Sequence, residues 1–221
     1  MDLAVYLLEI FGIVACAISG TIIAMERKFD IFGIICMAVV TALGGGCLRD
    51  IILGINPPVM FTDYYFVISA AGASIVLIIL IKILRKDFDK HRIAIEQVFN
   101  IFDAIGLGLF SAVGVVITIR HGFINNGFLC VFIGLMTACG GGVLRDMMSK
   151  AKPMIFTKHI YALASLLGAL VCYIMIYFGV NEIISGAVCT IIVITLRMLA
   201  TFFKWNLPRL VISDPYKSDD D

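Results

Sequence analysis

Two stretches of this chain combine residue types that seldom share a helix. TALGGGCLRD, from Thr41 to Asp50, places three glycines just before an Arg-Asp pair, and TACGGGVLRD, from Thr137 to Asp146, does so again. Each Gly in a helix interior costs roughly 1 kcal/mol relative to Ala, so a triplet costs about 3 kcal/mol of intrinsic propensity. Bare main chain also lets another helix, an ion or a water come close. Three chemistries are therefore in question. Gly44, Gly45, Gly46 and Gly140, Gly141, Gly142 form a smooth face for close helix packing, or they kink or unwind their helices so that carbonyls face a water-filled path, or they cradle a phosphate. The last fails, because no Gly-Lys-Ser/Thr follows either triplet. The doubling favours the carbonyl-lined path.

The charged residues raise a second question. Arg49, Asp50, Arg145 and Asp146 lie inside or at the ends of apolar runs, where insertion costs about 2.5–3.5 kcal/mol for each charge at a helix centre. Neighbours on a helix point about 100° apart, so Arg49 with Asp50, and Arg145 with Asp146, are not expected to neutralise each other face to face. Each seeks a further partner, an acid of the other half, or water; the alternative is that the arginines snorkel to a helix end. Glu9 and Asp103 are the remaining intramembrane acids. They concentrate cations at the two mouths of a path, or one is a protonation site, or Glu9 is merely interfacial.

These residues sit in a very apolar chain. Of 221 residues, 61% are hydrophobic and 15% charged, with a mean hydropathy of +1.05. A soluble domain carries about a quarter charged residues, so too little polar surface exists to coat a globule, and the protein is an integral membrane protein. The formal net charge of +1 makes no case for nucleic acid as a partner. Seven cysteines without a C-x-x-C pair are packing residues, and His91, His121 and His159 have no metal-ligand spacing. Neither a cofactor nor covalent chemistry is implied, so an enzyme is not expected. Ala15-Cys16-Ala17 loosely resembles a signal-peptidase site, but Glu9 interrupts the run before it and the apolar stretch continues to Met25, as in an uncleaved first membrane helix.

Segments of the length that spans a bilayer run approximately 3–25, 31–54, 63–84, 96–119, 127–149, 158–179 and 181–203. Lys and Arg fall almost entirely in loops of one side: Arg27, Lys28, Lys82, Arg85, Lys86, Lys90, Arg92, Lys150, Lys152, Lys158, Lys204, Arg209 and Lys217, against Arg120 alone on the other. That bias puts the N-terminus outside and the C-terminal tail, 204–221, in the cytoplasm. The motif match extends in both directions. Glu9-x-x-Gly12 and Gly20 correspond to Asp103-x-x-Gly106 and Gly114, while Pro58 and Phe61-Thr62 correspond to Pro153 and Phe156-Thr157. Each half thus holds three spans, about 3–84 and 96–179. Three is odd, so the second half enters the membrane from the opposite side. The halves are inverted repeats, the seventh helix stands outside them, and residues 1–203 form one transmembrane domain.

Two Gly-Gly-Gly-x-x-Arg-Asp segments, on the second and fifth of seven helices, resemble prokaryotic members of the trimeric intracellular cation (TRIC) channel family, over nearly the whole chain from Glu9 through the seventh helix. The resemblance implies an all-α membrane fold of two inverted three-helix repeats plus a seventh helix. It implies an inner-membrane homotrimer with a pore for K+, and with it Na+, inside each protomer, and membrane lipid as its surroundings. The triplets Gly44–Gly46 and Gly140–Gly142 then bend the second and fifth helices around that pore, with Thr41 and Thr137 as hydroxyl lining. The same domain family is also described as a glycine transporter, and a carrier for glycine or another small solute fits the same scaffold, with Asp103 or Glu9 as its coupling site. Arginines beside a cation path are odd for a channel; in a carrier an Arg would bind the substrate carboxylate. A purely structural scaffold leaves the doubled motif without a purpose.

Overall fold

The computed structural model describes residues 3–83, 92–157, 160–203 and 205. Arg85, Lys86, Lys90, His91, Lys158, His159 and the tail 204–221, apart from Trp205, therefore lie outside the described residues. In chain order the helices are α1 (Leu3–Glu26), α2 (Ile31–Ile52), α3 (Val59–Thr62), α4 (Tyr64–Ile83), α5 (Arg92–Thr118), α6 (Gly127–Met148), α7 (Met154–Thr157), α8 (Ile160–Tyr177) and α9 (Glu182–Phe202), with a π-helical turn, Ile119–Phe123, continuing α5. The described residues contain no strand. Seven of the helices, α1, α2, α4, α5, α6, α8 and α9, are long and apolar enough to cross a membrane. The fold is all-α, with two inverted three-helix repeats and a seventh helix.

The expected spans match these helices to within a few residues. The largest departure is at the fourth span, where α5 begins at Arg92 and the π turn carries Arg120 and His121 past the expected end. The segments after Pro58 and Pro153 form the separate short helices α3 and α7, ahead of the third and sixth spans.

Local signals explain where the spans start and stop, and they repeat. Asp30 caps α2 by accepting from Gly33 N at 2.7 Å, and Asn126, at the matching place in the second half, caps α6 by accepting from Leu129 N at 3.0 Å. Such side chains satisfy one of the amides a helix start leaves unpaired. At the other ends, Gly54 (φ 73°) follows α2 and Lys150 (φ 56°) follows α6 in the left-handed conformation. The next amides close the ends, with Ile55 N donating to Asp50 O at 2.8 Å and Ala151 N to Asp146 O at 2.9 Å.

Helix α5 is the centre of the bundle. It packs on α1, α6, α8 and α9, while α1 packs on α2 and α4, and α2 crosses α6. Of its most apolar window 83% is buried, against 17% for α4, which lies at the edge. Outward faces carry exposed apolar side chains such as Phe32, Val76, Phe128 and Ile191, as a lipid-facing surface requires. The contacts between helices are made largely by Ala, Gly, Ser and Cys: Ala17, Ala38, Ala70, Ala164, Cys172, Cys189, Ser74 and Ser165 are fully buried. The cysteines are free. No His/Cys/Asp/Glu group among the described residues has the form of a metal site.

Candidate functional site

The two triplets meet where α2 crosses α6. A Cβ built on Gly45 would lie 2.0 Å from Thr137 O, and one on Gly141 would lie 2.0 Å from Thr41 O. Gly44 and Gly140 face Leu144 and Leu48 across the same crossing. Both helices stay continuous through their triplets, Ile31–Ile52 and Gly127–Met148. Neither triplet is therefore unwound, and Gly45 and Gly141 make a close crossing of the two helices. Without Cβ atoms the main chains touch directly, which returns as dispersion contact what the glycines lose in helix propensity. Thr41 and Thr137 flank the crossing, both buried. Their hydroxyls donate to their own helices, to Met37 O and Ile133 O, each at 2.7 Å. Each is packed on a glycine of the preceding helix, Gly20 or Gly114.

On either side of this crossing lies a buried ion cluster. In the first, Arg49 Nη1 donates to Glu9 Oε1 at 2.9 Å and Arg49 Nε to Asp50 Oδ1 at 2.8 Å. In the second, Arg145 Nη1 donates to Asp103 Oδ1 at 2.7 Å and Arg145 Nε to Asp146 Oδ1 at 3.0 Å. Each aspartate then spends its other oxygen on the short helix that follows: Val59 N donates to Asp50 Oδ2 at 2.9 Å, and Met154 N to Asp146 Oδ2 at 2.8 Å. The acid of one span, the Arg-Asp of the next and the residue after Pro58 or Pro153 thus form one unit, built twice.

Four expectations are corrected here. Adjacent Arg and Asp do pair, because the long arginine chain curls so that Nε, not the Cβ direction, decides the contact. The arginines pair with acids of their own half rather than the other half. Snorkelling is excluded, since Arg49 and Arg145 are 2% and 0% exposed. The interfacial reading of Glu9 fails likewise, at 4% exposure. Both arginines are matched by carboxylates because an unpaired buried charge is severely unfavourable.

The clusters are not equivalent. The second also contains Arg197 of α9, whose Nη2 donates to Asp103 Oδ2 at 3.2 Å and whose guanidinium lies over the Tyr161 ring at 4.5 Å. Arg145 lies over Phe99 at 5.0 Å and reaches Ser19 of the first half at 3.1 Å. Formal charges cancel there, two arginines against Asp103 and Asp146. The first cluster has one arginine against Glu9 and Asp50 and is left net negative by one. Arg197 escaped the sequence reading because the seventh helix lies outside the repeat, so no partner motif marked it; Tyr161, on α8, carried no signal of its own. A charge inside an apolar span was the available signal.

Space also differs between them. A cavity of about 240 Å³ reaches the first cluster, with Glu9, Arg49, Asp50, Arg120 and His121 among its lining residues. A smaller one of about 20 Å³, room for about one water, lies behind, against Glu9, Arg49 and Gly46. The larger vestibule is walled by the end of α5 and its π turn, where Gly122 (φ 89°) turns the chain. There Arg120 Nη2 pairs with Glu182 Oε2 at 2.6 Å, half-exposed.

Comparison with known proteins agrees with this architecture. A family model described as Glycine transporter matches residues 6–81 and 100–177, the two halves of the repeat. The UPF0126 inner membrane protein YadS of Escherichia coli (strain K12) is 30% identical over 210 residues, 92% of this chain and 93% of that protein. The chain solved to establish the structural basis for conductance through TRIC cation channels is 35% identical, with a TM-score of 0.80 over 94% of this chain and 98% of that one. A prokaryotic TRIC channel crystallised in 0.5 M KCl is 31% identical, with a TM-score of 0.82 over 94% of this chain and 100% of that one.

Proposed function

The chain belongs to the family described as Glycine transporter, and on that premise, with its likeness to TRIC cation channels, we propose that it is a monovalent cation channel of the inner membrane. Potassium, and with it sodium, crosses through a path inside each protomer of a homotrimer. The N-terminus is outside and the tail 204–221 cytoplasmic, in keeping with the one-sided distribution of Lys and Arg. Residues 1–203 act as one transmembrane unit, with no cofactor and no covalent step.

The observation that carries this reading is the placement of two buried Arg–carboxylate clusters on either side of the Gly45–Gly141 crossing, with a vestibule leading to the net-negative one. Once α2 and α6 slide apart at their closed crossing, the path runs from the vestibule to Glu9, Arg49 and Asp50, past Thr41, Thr137 and the glycines 44–46 and 140–142, and on to Asp103, Arg145 and Asp146. A carboxylate already paired with a guanidinium cannot attract a cation strongly, so conduction requires that Arg49 and Arg145 swing off the path while their aspartates, held by Val59 N and Met154 N, stay in place. The arginines are then removable plugs. The bare glycine surfaces let α2 and α6 slide without steric interlock.

A glycine carrier is the second reading, favoured by the family description. Against it, Arg49 and Arg145 each already face two carboxylates, leaving little positive potential there for a substrate carboxylate. The deciding experiment is current through planar bilayers containing the purified full-length protein. Stepwise unitary K+ currents are expected. Saturable glycine uptake into vesicles without unitary currents would overturn the channel reading.

A further inference from the structure

His121 is a chemistry-bearing residue that the path itself does not use. It stands on the π-helical turn at the end of α5, is exposed, and lines the 240 Å³ vestibule together with Glu9, Arg49, Asp50 and Arg120. The turn is pinned from three sides. Arg120 Nε donates to Glu182 Oε2 of α9 at 2.8 Å, Cys130 Sγ of α6 to Phe123 O at 3.3 Å, and the Tyr173 hydroxyl of α8 to Ile124 O at 3.0 Å. The imidazole is anchored as well, with Nδ1 at 2.8 Å from Ile117 O. A carbonyl can only accept, so Nδ1 carries the hydrogen and Nε2 the lone pair. A proton arriving at Nε2 leaves that bond intact, and the ring gains its charge in place.

The charge it joins is small. Helices α1 and α2 give the vestibule Glu9, Asp50 and Arg49, a sum of minus one, while Arg120 of the turn is matched by Glu182. Cys130 and Tyr173, the titratable groups that touch the turn from α6 and α8, act there as neutral donors. Imidazole is the side chain whose charge ordinarily changes between pH 5 and 8. One proton on His121 takes the sum from minus one to zero.

Resting on the channel reading, we infer that His121 is a proton-operated control on cation entry: neutral, it leaves the vestibule attractive to K+, and protonated, it cancels that attraction. Conductance is therefore highest at alkaline pH and falls as the vestibule side is acidified. The control is one-sided, because the second cluster, Asp103, Asp146, Arg145 and Arg197, contains no imidazole. A sphere of 240 Å³ is about 8 Å across, and a unit charge about 8 Å away in a water-like dielectric changes the local cation concentration about two- to threefold. At about 1 M salt, where fields decay within about 3 Å, the effect should fade.

The test is the unitary K+ conductance of the full-length protein in planar bilayers, in about 20 mM and about 1 M KCl. One side and then the other is taken from about pH 8 to about pH 5.5, which stays above the ordinary carboxylate range. Acidifying one side should lower conductance two- to threefold in dilute salt, and acidifying the other should not. His121→Gln should lose the response. His121→Arg, charged throughout, should lose it too, but should conduct less than H121Q at pH 8. Simple loosening of the turn would not separate the two variants in that direction. A pH response that survives in H121Q assigns the titration elsewhere and overturns the inference, as does an equal response from both sides or one undiminished in concentrated salt. Currents that ignore pH refute the His121 control alone, whereas no unitary current at any pH refutes the channel reading and this control with it.

Discussion

The Gly45–Gly141 crossing makes a sharp demand on single methyl groups. In Gly45→Ala the added Cβ falls 2.0 Å from Thr137 O, where ordinary van der Waals contact begins at 3.4 Å. The atom it strikes is main chain inside a continuous helix, so it cannot rotate away, and α2 and α6 must separate by more than about 1 Å. Overpacking of a fitted interface costs about 1–3 kcal/mol and sometimes more. Separation also forfeits a quarter to a half of each nearby dispersion contact. The gain in helix propensity from Gly to Ala returns about 1 kcal/mol. A net loss of about 2–3 kcal/mol follows, one to two orders of magnitude in the folding equilibrium. Gly46→Ala is the internal control: its Cβ would meet nothing closer than Arg49 Nη2 at 3.8 Å, so it should be neutral or slightly stabilising. Gly141→Ala should match G45A, because its Cβ falls 2.0 Å from Thr41 O. The double variant should cost less than the sum, since one separation of the same helix pair relieves both overlaps. Equilibrium unfolding in mixed detergent measures all four. If G45A and G46A unfold together, the main-chain contact is not what these glycines are for.

Arg197→Ala should destabilise by about 3–5 kcal/mol, because it strips a buried carboxylate of one of its two guanidinium partners, whereas Arg120→Ala, breaking a half-exposed pair, should change the unfolding free energy by no more than about 1 kcal/mol; the same unfolding assay compares them. Glu9→Gln removes the excess negative charge at the vestibule, so unitary K+ conductance should fall, and fall more at low than at high salt, where screening already weakens the field; a salt-independent change would separate Glu9 from cation entry. Gly45→Leu or Gly141→Leu should abolish flux together with assembly rather than flux alone, since the side chain would enter a helix–helix contact and not an open path; size-exclusion chromatography of the variants decides.

Much of this protein is legible without coordinates. Seven apolar runs, the odd number of spans per repeat and the recurrence of Glu9/Asp103, the triplets and the Arg-Asp pairs dictate an inverted-repeat membrane fold, because bilayer thickness fixes helix length and a three-span unit must reverse its direction. Asp30, Asn126 and Gly54 end or start helices as their residue chemistry favours, whereas Lys150 takes the left-handed conformation without being glycine. What the triplets do was not legible. Glycine permits both an unwound turn and a close crossing, and the choice falls to whether another helix arrives, here α6 on α2. Nor could spacing show that Arg49 and Arg145 fold back on their own neighbours, because a side chain with several rotatable bonds is not bound to the direction of its Cβ. The inequality between the clusters is tertiary as well: only packing brings Arg197, from a helix with no counterpart in the repeat, onto Asp103, and leaves Glu9 with Arg49 alone.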